Sequence, residues 1–297
     1  MFLSITEALK KAVSFLKSRG VASPRLDAEL LLSFVMQKER LYFYSHGEEL
    51  LSREIWENYL ALIKRRGARE PLAYLTGEKE FMGISFAVEK GVLIPRPETE
   101  HLVEKVISWV KENKLKEKLQ ILDLGTGCGN IVLSLLVFLP SALATGIDFA
   151  EKAVELTRRN AIRLGVESRL ELRCGRYWKD LEGTDRRFHI VVSNPPYIPT
   201  SFLPSLPEEV RREPRQALDG GDDGLNSYRE IFRRISAYLR FPGLLALEVG
   251  AGQAEDVCKM AELIPNFFKK PKICKDYAGI DRLVLFERQV PSPFTPS

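Results

Sequence analysis

Strand-like and helix-like segments alternate from residue 121 to residue 286, and this pattern limits the possible folds more than any other feature of the sequence. Short runs rich in Val, Ile and Leu predict strands, and the longer segments between them predict helices. Such alternation predicts an α/β protein with a doubly wound, mostly parallel sheet, in which ligands bind at the carboxyl ends of the strands. The predicted strands cover 121–124, 143–148, 170–174, 188–192, 244–249 and 280–286, and the predicted helices 130–138, 151–164, 227–239 and 254–264.

The N-terminal part of the chain predicts a small helical bundle without a catalytic motif of its own. Ser4 begins a capping-box pattern, Ser23 precedes a proline that starts a second helix, and Ser52 opens a third. Residues after this bundle change to short extended pieces, which predict a hairpin. We therefore expect a helical substrate-docking domain at 1–79, a hairpin linker at 80–94 and a catalytic domain at 95–297.

Two further segments bear on the catalytic domain. Pro97 rules out a helix through its own position, and Thr99 is predicted to cap the helix that begins at Glu100. The segment 199–226 is long and rich in Pro, Glu and Gly. Loops of this length predict either a functional lid or disorder.

Composition narrows the class of protein. The 297 residues carry a net charge of only +4, which does not argue for a polyanionic partner. No run of about 18 apolar residues occurs, and the N-terminus lacks the pattern of a secretory signal, so we expect neither a membrane span nor export. The four cysteines and three histidines are scattered. We therefore expect no metal site and a cytoplasmic location.

A glycine-rich loop follows the strand predicted at 121–124. Its spacing is G-x-G-x-G rather than the G-x-G-x-x-G of dinucleotide binders, and the absence of a following lysine excludes a P-loop. Asp123 would repel a pyrophosphate but suits an ammonium group, and Asp148 ends the next strand, where an acid can bind ribose hydroxyls. These features predict a site for S-adenosyl-L-methionine. The expected cofactor contacts here are Asp123, Gly125, Thr126, Gly127, Cys128, Gly129 and Asp148.

The tetrapeptide Asn194-Pro195-Pro196-Tyr197 directly follows the strand predicted at 188–192. Consecutive prolines end the strand, because they cannot donate ladder hydrogen bonds. A carboxamide, two fixed φ angles and an aromatic ring are therefore expected at the ligand-binding edge of the sheet. Taken alone, the tetrapeptide could equally be a proline-stopped turn. Together with the glycine loop and the acid after the second strand, it indicates a methyl-transfer site.

With the glycine loop, this tetrapeptide resembles the amino-group methyltransferases, and two further stretches resemble the release factor glutamine N5-methyltransferases, the PrmC or HemK family. The resemblance covers nearly the whole chain, including the helical bundle. It implies a Rossmann-like fold and methyl transfer from S-adenosyl-L-methionine to the glutamine of the Gly-Gly-Gln motif in class-one peptide chain release factors, which modulates translation termination. The two stretches are Ile94-Pro95-Arg96-Pro97-Glu98-Thr99-Glu100 and Glu213-Pro214-Arg215-Gln216-Ala217-Leu218, the latter followed by Gly220-Gly221 and Asp223-Gly224-Leu225.

The resemblance also assigns expected roles at the site. The side-chain oxygen of Asn194 and the carbonyl of Pro195 can accept the two N–H groups of the substrate amide, and Tyr197 can offer its ring to the developing positive charge. Positioning of this kind requires no general base for the methyl-transfer step. These three residues are the expected catalytic set, Asn194 is also an expected cofactor contact, and the expected substrate-binding set adds Pro196, Arg96 and Glu98.

One position departs from the family pattern. In Gly175-Arg176-Tyr177-Trp178, an arginine stands where the family usually has an acid. Either Tyr177 or Trp178 is expected to wall the adenine, and the sequence leaves the choice open.

Two other functions compete with this interpretation. A nucleic-acid adenine or guanine amino methyltransferase would use the same tetrapeptide, but it needs a flipped or single-stranded base and a basic channel. The low net charge argues against it, and we expect no direct nucleic-acid partner. A non-catalytic module that only docks on a translation factor would share the fold, but the intact glycine loop and tetrapeptide argue against loss of activity.

Overall fold

The structure is a computed structural model of the chain, and it describes residues 3–115 and 118–290. The chain divides into two compact units. The described residues of Met1–Glu78 and Pro207–Arg212 form the first, and those of Lys79–Leu206 and Glu213–Ser297 form the second. The stretch 80–94, expected as a linker, therefore groups with the second unit, and the short segment 207–212 groups with the helical one.

The predicted helices and strands occur in the predicted order, and the structure adds the short helices α3, α5 and α9 and the strand β8. The helices are α1 (Ile5–Ser18), α2 (Pro24–Met36), α3 (Tyr42–Ser45), α4 (Arg53–Gly67), α5 (Leu72–Thr76), α6 (Glu100–Glu112), α7 (Asn130–Phe138), α8 (Glu151–Arg163), α9 (Glu208–Arg211), α10 (Asn226–Tyr238) and α11 (Ala254–Glu262). The strands are β1 (Glu78–Phe81), β2 (Ile84–Ala87), β3 (Gln120–Leu124), β4 (Leu143–Asp148), β5 (Leu170–Cys174), β6 (Phe188–Ser193), β7 (Leu239–Glu248), β8 (Lys272–Lys275) and β9 (Asp281–Glu287).

The first unit is a helical bundle around a buried apolar core. Ser4 caps α1 through the predicted capping box, and the Ser52 hydroxyl accepts a hydrogen bond from the backbone at the start of α4. A buried guanidinium, that of Arg66, bonds to Asp27 at 2.7 Å and to Glu209 at 3.0 Å. This second ion pair connects the segment 207–212 to the bundle, and breaking it would leave a buried charge without one of its partners.

The second unit is built on a seven-stranded sheet within residues 118–290. The strand order is β5-β4-β3-β6-β7-β9-β8. Strands β3 to β7 are parallel, and β9 pairs antiparallel with both β7 and β8. The predicted doubly wound, mostly parallel sheet is confirmed. From β3 the chain adds β4 and then β5 on one side of the sheet. It then returns to the other side of β3, where it adds β6 and then β7. The carboxyl ends of β3 and β6 therefore flank the point where the strand order reverses, which is where such sheets bind ligands.

Segment 199–226 contains short helical turns rather than an extended loop. The Ile198 backbone N–H donates to the Leu218 carbonyl, and the Ile198 carbonyl accepts the Gly220 N–H. The Thr200 hydroxyl donates to Asp219 at 2.6 Å. The turns at Thr200–Ser205 and Arg215–Ala217 are 3₁₀ helices. This local structure brings the stretch after residue 213 to the carboxyl edge of the sheet, where it lines the cavity described next.

Candidate active site

A cavity of about 340 Å³ opens at the carboxyl ends of β3, β4 and β6. It lies at the reversal of strand order, so its position follows from the topology of the sheet. Nine of the predicted site residues line it, and they come from stretches far apart in the sequence. They are Arg96, Gly125, Thr126, Gly127, Asp148, Tyr177, Asn194, Pro195 and Pro196.

The glycine loop after β3 forms one wall of this cavity. Gly125 and Gly127 have φ values of +80° and +59°, a region that side chains other than glycine adopt only with strain. A Cβ added at either position would meet no protein atom within 4 Å, so the space beside both backbones is open. Gly129 differs, because its Cβ would lie 2.8 Å from side-chain atoms of Leu133 and Thr157. Gly129 is therefore required by packing, and it does not line the cavity.

Asp123 lies directly behind this wall and is fully buried. Burial raises the pKa of its carboxyl group to about 7. One carboxylate oxygen accepts a hydrogen bond from the Thr126 hydroxyl at 2.9 Å, while Oδ1 has no hydrogen-bond partner among the described residues. Such an oxygen fits a donor such as an ammonium group, directly or through water. Cys128 is also fully buried and outside the cavity lining, and burial raises the pKa of its thiol to about 12.

Asp148 holds the loop in place while it lines the cavity. Its Oδ2 accepts a hydrogen bond from the Gly127 backbone N–H at 2.9 Å, and its Oδ1 accepts one from Ala150 N–H at 2.9 Å. Burial raises the pKa of this carboxyl group above its ordinary value. Each carboxylate oxygen can accept a further hydrogen bond. The side chain can therefore bind ribose hydroxyls and brace the loop at the same time.

The two aromatic residues after β5 point in different directions. Tyr177 lines the cavity and has a positive φ of 45°, an uncommon conformation for a bulky residue. Trp178 is buried in the core, where its ring stacks on Tyr238 at 4.9 Å and its indole N–H donates to the Glu230 carbonyl at 2.9 Å. The structure thus brings Tyr177 to the cavity and leaves Trp178 outside it. Arg176, the departure from the family pattern, also lines the cavity.

The tetrapeptide after β6 forms the opposite wall. The Asn194 side-chain NH₂ donates to the Thr99 hydroxyl at 3.1 Å, and that hydroxyl donates to Glu248 Oε2 at 2.6 Å. Thr99 makes no capping hydrogen bond to α6, so its predicted role as a helix cap is wrong. The buried carboxylate of Glu248 is the partner of its hydroxyl instead. Tyr197 does not line the cavity, and its hydroxyl lies 3.5 Å from Glu248 Oε1.

An ion pair joins the two stretches that are specific to the resembled family. The Arg96 guanidinium bonds to Glu213 Oε1 at 2.5 Å, and the other oxygen of that carboxylate accepts the Ile94 backbone N–H at 3.0 Å. Since the Glu213 side chain is almost completely buried, the pair fixes the two stretches against each other. Glu98 is exposed and lies outside the cavity lining.

Several residues of the site were missed in the sequence. Glu248 is the last residue of β7 and the last but one of the strand predicted at 244–249, so it was a visible signal of the same kind as Asp148. The sequence alone does not place the lining residues of the segment after β6 at the cavity, even those in the family-like stretch at 213–218, because only the folded turns bring them there. These residues are Pro214, Gln216, Ala217, Asp219, Asn226, Ser227 and Glu230.

Two kinds of feature are absent from the part of the chain that the structure describes. No group of three or more His, Cys, Asp and Glu side chains within residues 3–115 and 118–290 is arranged to hold a metal ion. Within the same residues, every helix is too short or too polar to cross a membrane.

Comparison with known families and proteins gives matches over almost the whole sequence. A family described as "PrmC N-terminal domain" matches residues 7–77, and one described as "Methyltransferase domain" matches residues 115–246. A protein of Moorella thermoacetica named release factor glutamine methyltransferase is 40% identical over 287 residues, which are 97% of this chain and 99% of that protein. A protein of the same name from Geobacter sulfurreducens is 39% identical, with 95% of each chain covered.

Among solved structures, a methyltransferase from Pyrococcus furiosus is similar in fold. It has a TM-score of 0.53 and 17% sequence identity, and the match covers 79% of this chain and all of the other. At this level of identity the similarity shows the fold alone, which agrees with the sheet order described above.

Proposed function

The chain belongs to the release factor glutamine methyltransferase family, and from this we propose that it methylates the side-chain amide nitrogen (N5) of the glutamine in the Gly-Gly-Gln motif of a class-one peptide chain release factor. The observation that carries the proposal is that one cavity contains both the glycine loop with Asp148 and the Asn194-Pro195 pair. The first set suits a nucleoside with a charged tail, and the second suits an amide nitrogen.

The residues around the glycine loop fit S-adenosyl-L-methionine as the methyl donor. Open space beside Gly125 and Gly127, the unsatisfied oxygen of Asp123 and the free acceptor capacity of Asp148 all support this assignment. When bound, this cofactor supplies an electrophilic methyl group on a sulfonium. In the proposal, Asp148 binds the ribose, Tyr177 flanks the adenine, and the backbone at the two glycines lies along the amino-acid tail.

The Asn194-Pro195 pair addresses the weak nucleophilicity of an amide. The Asn194 side-chain oxygen and the Pro195 carbonyl accept the two N–H groups of the substrate amide and hold its nitrogen toward the methyl group. Both acceptors also stabilise the positive charge that the nitrogen gains, and alignment of this kind can lower the barrier by up to about 7–11 kcal/mol. The methylated nitrogen then loses one proton to solvent, so the product is a neutral N-methyl amide.

The partner and the compartment complete the proposal. A pocket sized for a carboxamide cannot distinguish one glutamine from another, so selection requires contacts remote from the reaction. We assign this docking role to the helical unit, which the sequence predicts at 1–79 and which comprises the described residues of 1–78 and 207–212 in the structure. The substrate acts in translation, and the proposal therefore places the enzyme in the cytoplasm.

Labelled S-adenosyl-L-methionine tests this function directly. The protein is incubated with the labelled cofactor and, separately, with a class-one release factor, the same factor with alanine in place of the Gly-Gly-Gln glutamine, RNA and DNA. We expect label on the intact factor alone, located on that glutamine by mass spectrometry. Label on RNA or DNA would instead support the nucleic-acid alternative. Cofactor binding by calorimetry without transfer to any acceptor would support a docking module.

A further inference from the structure

A chain of hydrogen bonds leads from the cavity wall into the protein interior. It runs from the Asn194 side-chain NH₂ to the Thr99 hydroxyl at 3.1 Å and from that hydroxyl to Glu248 Oε2 at 2.6 Å. Thr99 and Glu248 are each 1% exposed. They come from the turn before α6 and from the end of β7, so three separate segments of the second unit meet at this point.

The charge of Glu248 sets the direction of every bond in this chain. An ionised carboxylate only accepts hydrogen bonds, so Thr99 must donate its single hydroxyl hydrogen to Glu248. The Thr99 oxygen can then only accept from Asn194. Consequently the carboxamide of Asn194 turns its NH₂ group toward Thr99 and presents its oxygen on the other side.

This orientation decides whether the site can bind an amide nitrogen. The oxygen and nitrogen of a carboxamide are nearly identical in size, so packing alone does not select one orientation. In the flipped orientation, two oxygens would face each other at Thr99, and the Asn194 NH₂ would face the NH₂ of the substrate. Both contacts would leave polar groups unsatisfied, and a buried polar group without a partner is costly.

We propose that Thr99 and Glu248 are positioning residues, which fix the Asn194 carboxamide with its oxygen toward the nitrogen that is methylated. The inference rests on the proposed function, which identifies the methyl acceptor as a substrate amide nitrogen. It assigns to Thr99 and Glu248 a role that the cavity lining alone does not reveal. Neither residue is required to touch the reacting atoms.

After protonation, the Glu248 carboxyl group would no longer fix the orientation of the Asn194 carboxamide. Burial raises the pKa of its carboxyl group to about 7, against the opposing effects of the Thr99 hydrogen bond and the nearby Arg282. A protonated Glu248 can donate to Thr99, whose own hydrogen can then turn to Asn194, so either carboxamide orientation becomes possible. The groups that face or adjoin the carboxylate are Thr99, Tyr197, Arg282 and Glu98, and the Tyr228 hydroxyl donates to the Glu248 backbone carbonyl at 2.9 Å.

Three substitutions test the proposal on the full-length enzyme. Thr99→Val keeps the shape but removes the hydroxyl, Thr99→Ser keeps the hydroxyl, and Glu248→Gln removes the charge. We measure single-turnover methylation of the release factor at saturating cofactor, the cofactor dissociation constant by calorimetry, and the melting temperature of each variant. We expect Thr99→Val to lower the rate by at least about tenfold, Thr99→Ser to restore most of it, and cofactor affinity to change by less than about threefold in all three.

A pH profile separates positioning from a general structural effect. Well above pH 7 the wild type should be faster than Glu248→Gln by about tenfold, and well below pH 7 the two rates should converge, because protonated Glu248 is then as neutral as glutamine. Other groups that titrate in this range are common to both proteins, so they cancel in the ratio. A ratio that does not change with pH, or a Thr99→Val enzyme as fast as the wild type, would overturn the inference. If the wild type itself fails to methylate the release factor, the proposed function fails and the inference fails with it.

Discussion

The substitution Gly127→Val separates cofactor binding from folding more sharply than any other change in the glycine loop. At a φ of +59° a valine costs about 2 kcal/mol in backbone strain, but its Cβ meets no protein atom within 4 Å. A loss of 2 kcal/mol lowers the melting temperature of a chain of 297 residues by about 3 °C. The protein therefore remains folded at 25 °C, and the new side chain projects into the cavity.

The matched control is Gly129→Val, two residues further along the same loop. Its φ of +86° imposes a similar strain, but its Cβ would also lie 2.8 Å from atoms of Leu133 and Thr157. Overpacking of this kind adds about 1–3 kcal/mol, so the total loss is about 3–5 kcal/mol. This variant should melt lower than Gly127→Val, although it places no side chain in the cavity.

Calorimetric titration with S-adenosyl-L-methionine and thermal unfolding of both variants provide the assay. We expect Gly127→Val to weaken cofactor binding at least about a hundredfold, or about 2.7 kcal/mol, because the side chain occupies the space assigned to the ligand. Gly129→Val should bind better than Gly127→Val despite its lower melting temperature. Wild-type affinity in Gly127→Val would refute the cofactor-site assignment. Equal melting temperatures would refute the packing argument for Gly129.

Three further predictions concern the reaction, the docking unit and pH. Asn194→Ala should lower the single-turnover rate about a hundredfold or more with little change in cofactor affinity, and a loss confined to cofactor binding would contradict its role at the substrate. A chain that begins at Lys79 should keep cofactor affinity but lose most activity on the intact release factor, while low activity on a short Gly-Gly-Gln peptide stays equal to that of the full-length enzyme. Full activity of this shorter chain on the intact factor would disprove docking by the helical unit. Because burial raises the pKa of Asp123 to about 7, its ionised form destabilises the fold, so the free energy of unfolding should rise as the pH falls from above 7 toward 5. Urea titrations should show a smaller rise in Asp123→Asn, and an unchanged pH dependence would mean that Asp123 is not its source.

The sheet could be predicted from the sequence largely because its central strands are buried on both faces. Such strands are continuous apolar runs, and the bounds predicted at 143–148 coincide with β4, which is buried along almost its whole length. The bounds predicted at 170–174 also coincide with β5, although β5 is an edge strand and is only half-buried. The edge strand β8 was missed, because Lys272 and Lys275 at its ends leave Cys274 as its one buried residue. Strand β7 begins at Leu239 rather than at residue 244, since its first half has no apolar run.

Site residues could be predicted where a sequence motif itself determines their position. They could not be predicted where the direction of a side chain depends on residues far away in the sequence. The glycines and the prolines set much of the local backbone geometry themselves, and Gly125, Gly127 and Asn194 to Pro196 line the cavity. The direction of Trp178 depends on Tyr238, which stacks on it from α10, and the hydroxyl of Thr99 depends on a carboxylate 149 residues away. A local pattern contains no information about such partners, which explains both the open choice between two aromatics and the wrong assignment of a helix cap.

The membership of segment 207–212 in the helical unit has a consequence for how this protein could have been assembled in evolution. The polypeptide leaves the catalytic unit after residue 206, contributes Glu209 as a partner of Arg66, and returns at residue 213. A gene fusion at one joint near residue 78 would supply the bundle without this acidic partner and would leave the Arg66 guanidinium short of one counter-charge. Transfer of the helical unit with all of its own contacts therefore involves two stretches of the chain. A recombination event that transfers it to another methyltransferase must carry two separate pieces of the gene, and homologues that differ in one piece should differ correspondingly in the other.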